Sequence, residues 1–505
     1  MELIHALLLA LQPAHLLTLL LGVGGGLVLG AMPGVSPTLA VALLVPFTFR
    51  LPADTSLILM GAVYSASIAG GAISAILLNV PGAPANIATT FDGYPMARSG
   101  RATEALQTAF VSSLFGGVVG ILVLIFLAPL LAPFALRFGP GEMFWVAVLG
   151  ITVMASLGSG SLLKGLFAGA LGVWLSTIGI SPATGDYRFV FFDALEGGIH
   201  IVVALIGLFA MPQVLTLFAS PEAHYSPAAS TNDKSSLLGV VRRYFSERLA
   251  IGVGALVGVF IGIIPGAGGQ IASILGYDQV RKLSRNNDSF GQGDARGVIA
   301  SETANSAMVG PSIIPMLTLG LPGSPTCAVM LGGLLIHGIF PGPQIFTTSG
   351  DVLWIFLATL LIGQFAIFGL GLWLARGGQA LARVPNEYLA TGILVLSVIG
   401  TYSLQNNVAD VWIMASLGLI AFFGGQAGFP AAPMALGVIL GPIAENNFQM
   451  GRTIARAGEG SLQYFTSGTI NRVLIAIGLL SLAYGLLASY RASQRQATSS
   501  RQATA

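Results

Sequence analysis

The run FVSSLFGGVVGILVLIFLAPLLAPFAL, from Phe110 to Leu136, carries no charged side chain over 27 residues (136 − 110 + 1). A helix needs about 20 apolar residues to cross a bilayer. A membrane-spanning strand is shorter and alternates apolar with polar positions, and this run does neither. Within lipid a helix satisfies its own backbone hydrogen bonds, which an apolar run of this length requires. The segment reads as a transmembrane helix.

The rest of the chain reads the same way. Of 505 residues, 54% are hydrophobic and 8% charged, against about 25% charged in soluble domains. Apolar blocks recur near 14–49, 55–80, 105–136, 143–180, 195–218, 248–283, 303–340, 351–375, 386–424, 430–444 and 470–490. Several are long enough for two helices or a broken one, which predicts an all-α polytopic membrane protein with about 11–13 spans. The start, MELIHALLLALQPAHLL, lacks the basic region of a signal peptide, so the first helix is expected to stay and the chain to sit in a bacterial inner (cytoplasmic) membrane.

Several chemistries are not expected. The single cysteine, Cys327, excludes an internal disulfide and a Cys-rich metal site. His5, His15, His200, His224 and His337 form no HExxH pair. No P-loop and no G-x-S-x-G elbow occurs, which argues against ATP hydrolysis and against an enzyme of the hydrolase kind. A net charge of +2 gives no reason to expect a nucleic-acid partner.

The chain repeats itself. GLVLGAMPGVSPTLA (Gly26 to Ala40) aligns without a gap with GVFIGIIPGAGGQIA (Gly258 to Ala272), at an offset of 265 − 33 = 232. LLNVPGAPA (Leu77 to Ala85) aligns with TLGLPGSPT (Thr318 to Thr326), at 322 − 81 = 241. A third echo pairs PGEMFWVAVLGITVMASL from Pro140 with PNEYLATGILVLSVIGTYSL from Pro385, at 385 − 140 = 245. Three similarities in one order predict a duplicated unit. The expected organisation is a first repeat over 1–219, a polar linker over 220–248, a second repeat over 249–469, an extra helix over 470–490 and a disordered basic tail over 491–505. Lys234, Arg242, Arg243 and Arg248 in the linker and Arg491, Arg495 and Arg501 in the tail favour the cytoplasmic side, whereas no Lys or Arg precedes Arg50. The first repeat then crosses an odd number of times and the two repeats are inverted, although Arg452 and Arg456 run against this orientation.

Four Pro-Gly pairs break the apolar blocks as two matched sets: Pro33-Gly34 with Pro265-Gly266, and Pro81-Gly82 with Pro322-Gly323. Proline removes an amide donor and glycine permits unusual dihedrals. A lone Pro-Gly is an ordinary kink or packing point, but matched interruptions in two halves point to the midplane site of a secondary transporter. Polar residues flank the breaks. Ser36, Thr38, Asn79, Gly82, Ala83, Pro84, Asn86, Gly323, Ser324, Pro325 and Thr326 are the candidates for binding substrate, and Gly34, Gly266, Gln270, Thr318, Glu302 and Asn305 for binding a cation. Hydroxyls and amides can bond a carboxylate or share oxygens with Na+; a single Ser or Thr is more often glue between helices than a ligand, whereas for Asn79 and Asn86 the two readings balance. Glu302 has two readings: a solvated first-turn carboxylate, or an intramembrane cation ligand or proton carrier. Asp92, in FDGYP, reads as a turn residue. The residues leave a passive anion pore built on duplicated reentrant segments as the alternative to a coupled transporter.

The segments GLVLGAMPGVSPTLAVALLVPFTF, GGAISAILLNVPGAPANIATTFDGYPMARSGRATEAL and IPGAGGQIAS, followed by ASETANSAMVGPSIIPMLTLGLPGSPTCAVMLGGLLIHGIFPGP, resemble the large membrane subunit of the tripartite tricarboxylate transporters, the TctA family. The resemblance runs from about Leu16 to Phe465. It implies a secondary transporter that takes up carboxylates such as citrate, or other di- and aromatic carboxylates, by symport with Na+. It also implies a small membrane subunit and a periplasmic substrate-binding protein as partners. The signature segments fall on Gly30 to Thr38, Asn79 to Asn86, Pro265 to Gln270, Glu302 to Asn305 and Pro322 to Thr326. Asn86, Cys327 and the stretch ASETANSA depart from the family pattern, so citrate itself is not inherited. The two broken-helix pairs are expected to form one mobile unit and the remaining helices a scaffold.

Overall fold

A computed structural model describes residues 2–135, 137–157, 161–181, 184–219, 235–285, 287–342, 344–376, 385–456 and 460–503. It is helical almost throughout, and the chain divides into two compact units. The first takes Met1–Pro133 and Gln213–Leu404, the second Phe134–Pro212 and Gln405–Ala505. Both Pro-Gly sets fall in the first unit.

Helices α1 (Glu2–Ala10) and α2 (Pro13–Ala31) lead to the first break, after which α3 (Pro37–Thr48) starts. Helix α4 (Ala53–Leu78) ends at Asn79, a 3-10 turn follows over Pro84–Asn86, and α5 (Ile87–Arg98) and α6 (Ala102–Ala135) come next. In the second unit are α7 (Pro140–Leu157), α8 (Leu162–Ser176), a two-stranded hairpin of β1 (Gly179–Ile180) with β2 (Tyr187–Arg188), and most of α9 (Ile201–Ala219).

The first unit resumes with α10 (Leu237–Ser246), α11 (Arg248–Ile263) and, past the third break, α12 (Gly268–Leu283). Helices α13 (Ala295–Ala307) and α14 (Val309–Leu319) reach the fourth break, and α15 (Pro325–Ile336), α16 (Ile345–Thr348), α17 (Gly350–Ala375) and α18 (Asn386–Gln405) follow. Helices α19 (Val408–Gln426), α20 (Ala431–Arg456), α21 (Ser461–Thr466) and α22 (Thr469–Ala503) complete the second unit.

The duplication is visible at the level of single contacts. Helix α2 lays Gly22, Gly26 and Gly30 on one face, and α11 lays Gly254, Gly258 and Gly262, each 232 further along. A Cβ on Gly22, Gly26 or Gly30 would meet backbone at Leu59, Val63 or Ser67. On Gly254, Gly258 or Gly262 it would meet backbone at Ala300, Ala304 or Met308, each 241 beyond its counterpart. Small residues at every fourth position let two helix backbones close on each other, which is how helices associate where water provides no driving force.

Break geometry repeats too. Asn79 (φ 59°) and Gly320 (φ 70°) both end their helices in the left-handed conformation, and 320 − 79 = 241. The amide of Gly82 donates to Gly71 O at 3.4 Å, and that of Gly323 to Ser312 O at 3.2 Å, where 312 − 71 is again 241.

Among the described residues eight helices are long and apolar enough to cross a membrane, or nine with the pair α10 and α11, which bend by 77°. The expected 11–13 spans included interrupted blocks. Here the interruptions leave short apolar helices, among them α3 and α15, that do not reach across alone. The third echo divides: α7 belongs to the second unit and the stretch after Pro385 to the first. Residues 220–234 of the expected linker lie outside the described residues, and its remainder forms α10 and the start of α11. The tail expected to be disordered continues α22 as far as Ala503, in keeping with its Ala, Gln and Arg content.

In the second unit α8 crosses α20 at glycines: a Cβ on Gly172 would strike the Met434 backbone, and one on Gly437 the Gly169 backbone. Arg188 on β2 donates twice to Glu445, at 2.6 and 3.1 Å.

Candidate functional site: four helix breaks in one unit

The four breaks are built alike, as a helix end, an extended turn and a new helix with proline in its first turn or glycine at its start. Ser36 caps α3, its Oγ accepting from Leu39 N at 3.2 Å, and Ser324 caps α15, accepting from Cys327 N at 3.2 Å. The two new helices meet: Thr38 Oγ1 lies 3.0 Å from Thr326 Oγ1, with both side chains buried. At the third break Gly266 N donates to Gly323 O at 3.1 Å, which joins two breaks through backbone alone. Gly34 and Gly266 have φ of 83° and 79°. Their place in the turn demands glycine, because a side chain is strained in that region.

The buried acid is Glu302. It is the eighth residue of α13 (302 − 295 + 1) and is 0% exposed, so it is not a solvated first-turn carboxylate. Its Oε1 accepts from Asn86 Nδ2 at 3.1 Å and from the Thr89 hydroxyl, and its Oε2 accepts from Ser113 Oγ at 3.4 Å. Asn86 also donates to Ile68 O at 3.1 Å. No Lys, Arg or His occurs within residues 30–48, 53–97, 249–280 or 297–336, the segments that make the four breaks. The carboxyl is thus held by neutral donors only.

Asn305 stands one turn beyond Glu302 and is 0% exposed, and neither its Oδ1 nor its Nδ2 has a hydrogen-bond partner among the described residues; Asn86 Oδ1 has none there either. A Cβ placed on Gly269 would come within 2.5 Å of Asn305 Oδ1 and 2.9 Å of Ala85 Cβ, which sets the Asn305 amide beside the tip of the first repeat and the start of α12. Unpartnered buried amide atoms are costly, at about 1–3 kcal/mol each.

A second polar cluster forms around Tyr64 on α4. Its hydroxyl lies 3.0 Å from Ser312 Oγ and 3.0 Å from Ser324 Oγ, and Ser312 Oγ lies 3.2 Å from Cys327 Sγ. Tyr64 did not figure among the sequence candidates. Its signal was available, since carrying the offset of 241 back from the fourth break pairs Tyr64 with Asn305.

The other candidates sort by position. Gly82 and Ala83 are buried in the turn, Pro84 is exposed at its crest, and Gly323 and Pro325 hold the matching turn. Asn79 is exposed and ends α4, apart from the buried clusters. Gln270 is exposed in the first turn of α12. Thr318 is buried and donates to Ile314 O at 2.8 Å, along its own helix.

Asp92 corrects the turn reading: it lies inside α5 and is 0% exposed. Its Oδ1 accepts from the amides of Gly291 (2.8 Å), Gly293 (2.9 Å) and Asp294 (2.8 Å), and its Oδ2 from Tyr277 Oη (2.9 Å). One carboxylate thereby ties the first repeat's half-helix to the loop between α12 and α13.

Residues 16–436 match the tripartite tricarboxylate transporter TctA family. The chain is 34% identical over 493 residues, 96% of each chain, to an uncharacterized 52.8 kDa protein in the TAR-I ttuC' 3'region of Agrobacterium vitis. It is 33% identical over 239 residues, 47% of this chain and 98% of the other, to an uncharacterized protein in the TAR-II ttuC' 3'region of the same organism. No solved structure matches. A family match over most of the length, together with the spanning helices and the duplicated breaks, means that this multi-pass membrane protein belongs to the TctA family of tripartite tricarboxylate transporter components.

Proposed function

We propose that this chain imports a carboxylate together with Na+ across the bacterial inner membrane, working with a small membrane subunit and taking substrate from a periplasmic binding protein. One observation carries the reading: four helix breaks gather in a single unit with buried hydroxyls and amides around them and no Lys, Arg or His within residues 30–48, 53–97, 249–280 or 297–336. Each helix start supplies about half a positive charge, and such starts hold anions readily. A di- or tricarboxylate carries more negative charge than the facing starts of α3 and α15 offset. A co-bound cation makes up the difference, which is the physical reason to couple the two. Thr38, Thr326 and the capped first turns of α3 and α15 are the groups assigned to the substrate, and the Glu302 and Asn305 region to the cation.

The test is uptake into vesicles containing the chain, its small subunit and the binding protein. Labelled citrate and a panel of other di-, tri- and aromatic carboxylates would be followed with and without an inward Na+ gradient. Accumulation above equilibrium that needs the gradient is expected. Equilibration without accumulation would favour a passive pore, and failure to move any carboxylate would end the reading.

A further inference from the structure

The two buried polar clusters are copies of each other, and they have diverged. Adding 241 to Gly71, Ala83 and Asn86 gives Ser312, Ser324 and Cys327, and subtracting it from Asn305 gives Tyr64. Tyr64 from one repeat therefore meets Ser312, Ser324 and Cys327 of the other, and Asn305 is the counterpart that goes with Gly71, Ala83 and Asn86. In the Tyr64 copy each hydroxyl has a partner within the cluster. In the Asn305 copy both serines are replaced by residues without a polar side chain. On this side lie the buried amide atoms that have no partner among the described residues: Asn305 Oδ1 and Nδ2, and Asn86 Oδ1, which faces Gly71. The Asn305 copy also holds the one carboxyl, Glu302, whose counterpart in the other copy is Gly61 (302 − 241).

We infer that the duplicated site binds one monovalent cation per chain, at the Asn305 copy, and that Tyr64 has closed the other. The inference rests on the coupled-transport reading. Asn86 Oδ1 and Asn305 Oδ1 are neutral oxygens, and Glu302, to which Asn86 is already hydrogen-bonded, is the only acid among the residues of the two clusters. A single carboxyl with neutral oxygens balances a charge of +1 and suits a hard cation such as Na+. Among the described residues no group of three His, Cys, Asp or Glu gathers that could hold a transition metal. At the other copy the Tyr64 hydroxyl is itself within hydrogen-bond distance of Ser312 and Ser324, and Gly61 brings no charge.

Cation binding is measured on the purified chain by titrating NaCl against a choline chloride background, by calorimetry and by the shift in melting temperature. One Na+ per chain is expected. Asn305→Ala and Glu302→Gln should each weaken binding at least tenfold. Ala83→Ser restores the hydroxyl that Ser324 supplies at the other copy and should weaken binding similarly, with a melting temperature in choline no lower than that of the wild type. This last variant separates loss of the site from loss of the fold. Two cations per chain, no Na+ binding at all, or unchanged affinity in the folded Ala83→Ser and Glu302→Gln proteins would overturn the inference. Gradient-driven uptake by wild-type vesicles decides the transport reading separately. Uptake that needs Na+ alongside unaltered affinity in these variants would sink the site and leave the transporter standing.

Discussion

Replacing Asp92 with asparagine should loosen the first repeat's half-helix from the second repeat without changing its shape. Four hydrogen bonds end on this carboxylate, three from backbone amides and one from a tyrosine hydroxyl. Bonds to a charged acceptor contribute about 1.5–3 kcal/mol each and neutral ones about 0.5–1.5, so asparagine forfeits about 1 kcal/mol per bond. Its NH2 group also points a donor at Tyr277 Oη, which must turn away. Because neighbouring bonds are not additive, the expected loss is about 2–4 kcal/mol. Hydrogen exchange followed by mass spectrometry reads it directly, since the amides of Gly291, Gly293 and Asp294 are the donors. Their protection should fall roughly 30- to 700-fold, every 1.4 kcal/mol being tenfold. Protection unchanged within threefold in Asp92→Asn would refute the view that this carboxylate holds the loop.

Asn79 tests whether its side chain or its backbone matters. Its counterpart is Gly320, and both are left-handed, so Asn79→Gly should keep transport and stability, whereas Asn79→Ala should lose about 1 kcal/mol from strain; loss of uptake in a stable Asn79→Gly protein would instead make the amide a ligand. Gly323→Ala should abolish expression of folded protein, because a Cβ there would come 2.5 Å from Ser312 O and 2.9 Å from Gly262 O, while Gly252→Ala, with nothing within 4 Å, should express like the wild type. In the polar loop ahead of α13, burial works to raise the Asp294 carboxyl, but hydrogen bonds from Arg296 and Ser289 outweigh it and hold it below its usual range. Because the folded form is the depressed one, its contribution is present above the unfolded value of about 3.9 and is lost as pH falls through the folded value. Melting curves between neutral and acid pH should show Asp294→Asn less acid-sensitive than wild type, and parallel curves would remove the residue from the acid response.

Much of this was legible in the chain because helix breakers act locally. Pro-Gly pairs interrupt a helix wherever they stand, and a gapless repeat with constant offset transfers from sequence to contacts, as the glycine ladders of α2 and α11 demonstrate. What sequence could not give was depth. Glu302 follows Ser301 and precedes Thr303 in a weakly apolar helix, and only packing against Asn86, Thr89 and Ser113 from other helices reveals it as buried. Asp92 looked like a turn residue because Gly93 and Pro95 follow it, yet its carboxylate substitutes for a distant loop's missing acceptors and so stabilises helix where local propensity does not. Tyr64, in the run MGAVYSASIAGG, reads as core until the repeat makes it the counterpart of Asn305.

The chain passes between its two compact units after Pro133, after Pro212 and after Leu404. Pro133 lies within α6 and Pro212 within α9, and the third passage runs into Asn406, whose φ is 52°. A proline inside a helix deletes one rung of its hydrogen-bond ladder, and a left-handed residue ends the ladder outright. Each passage thus coincides with an interruption of the backbone's own hydrogen-bond ladder.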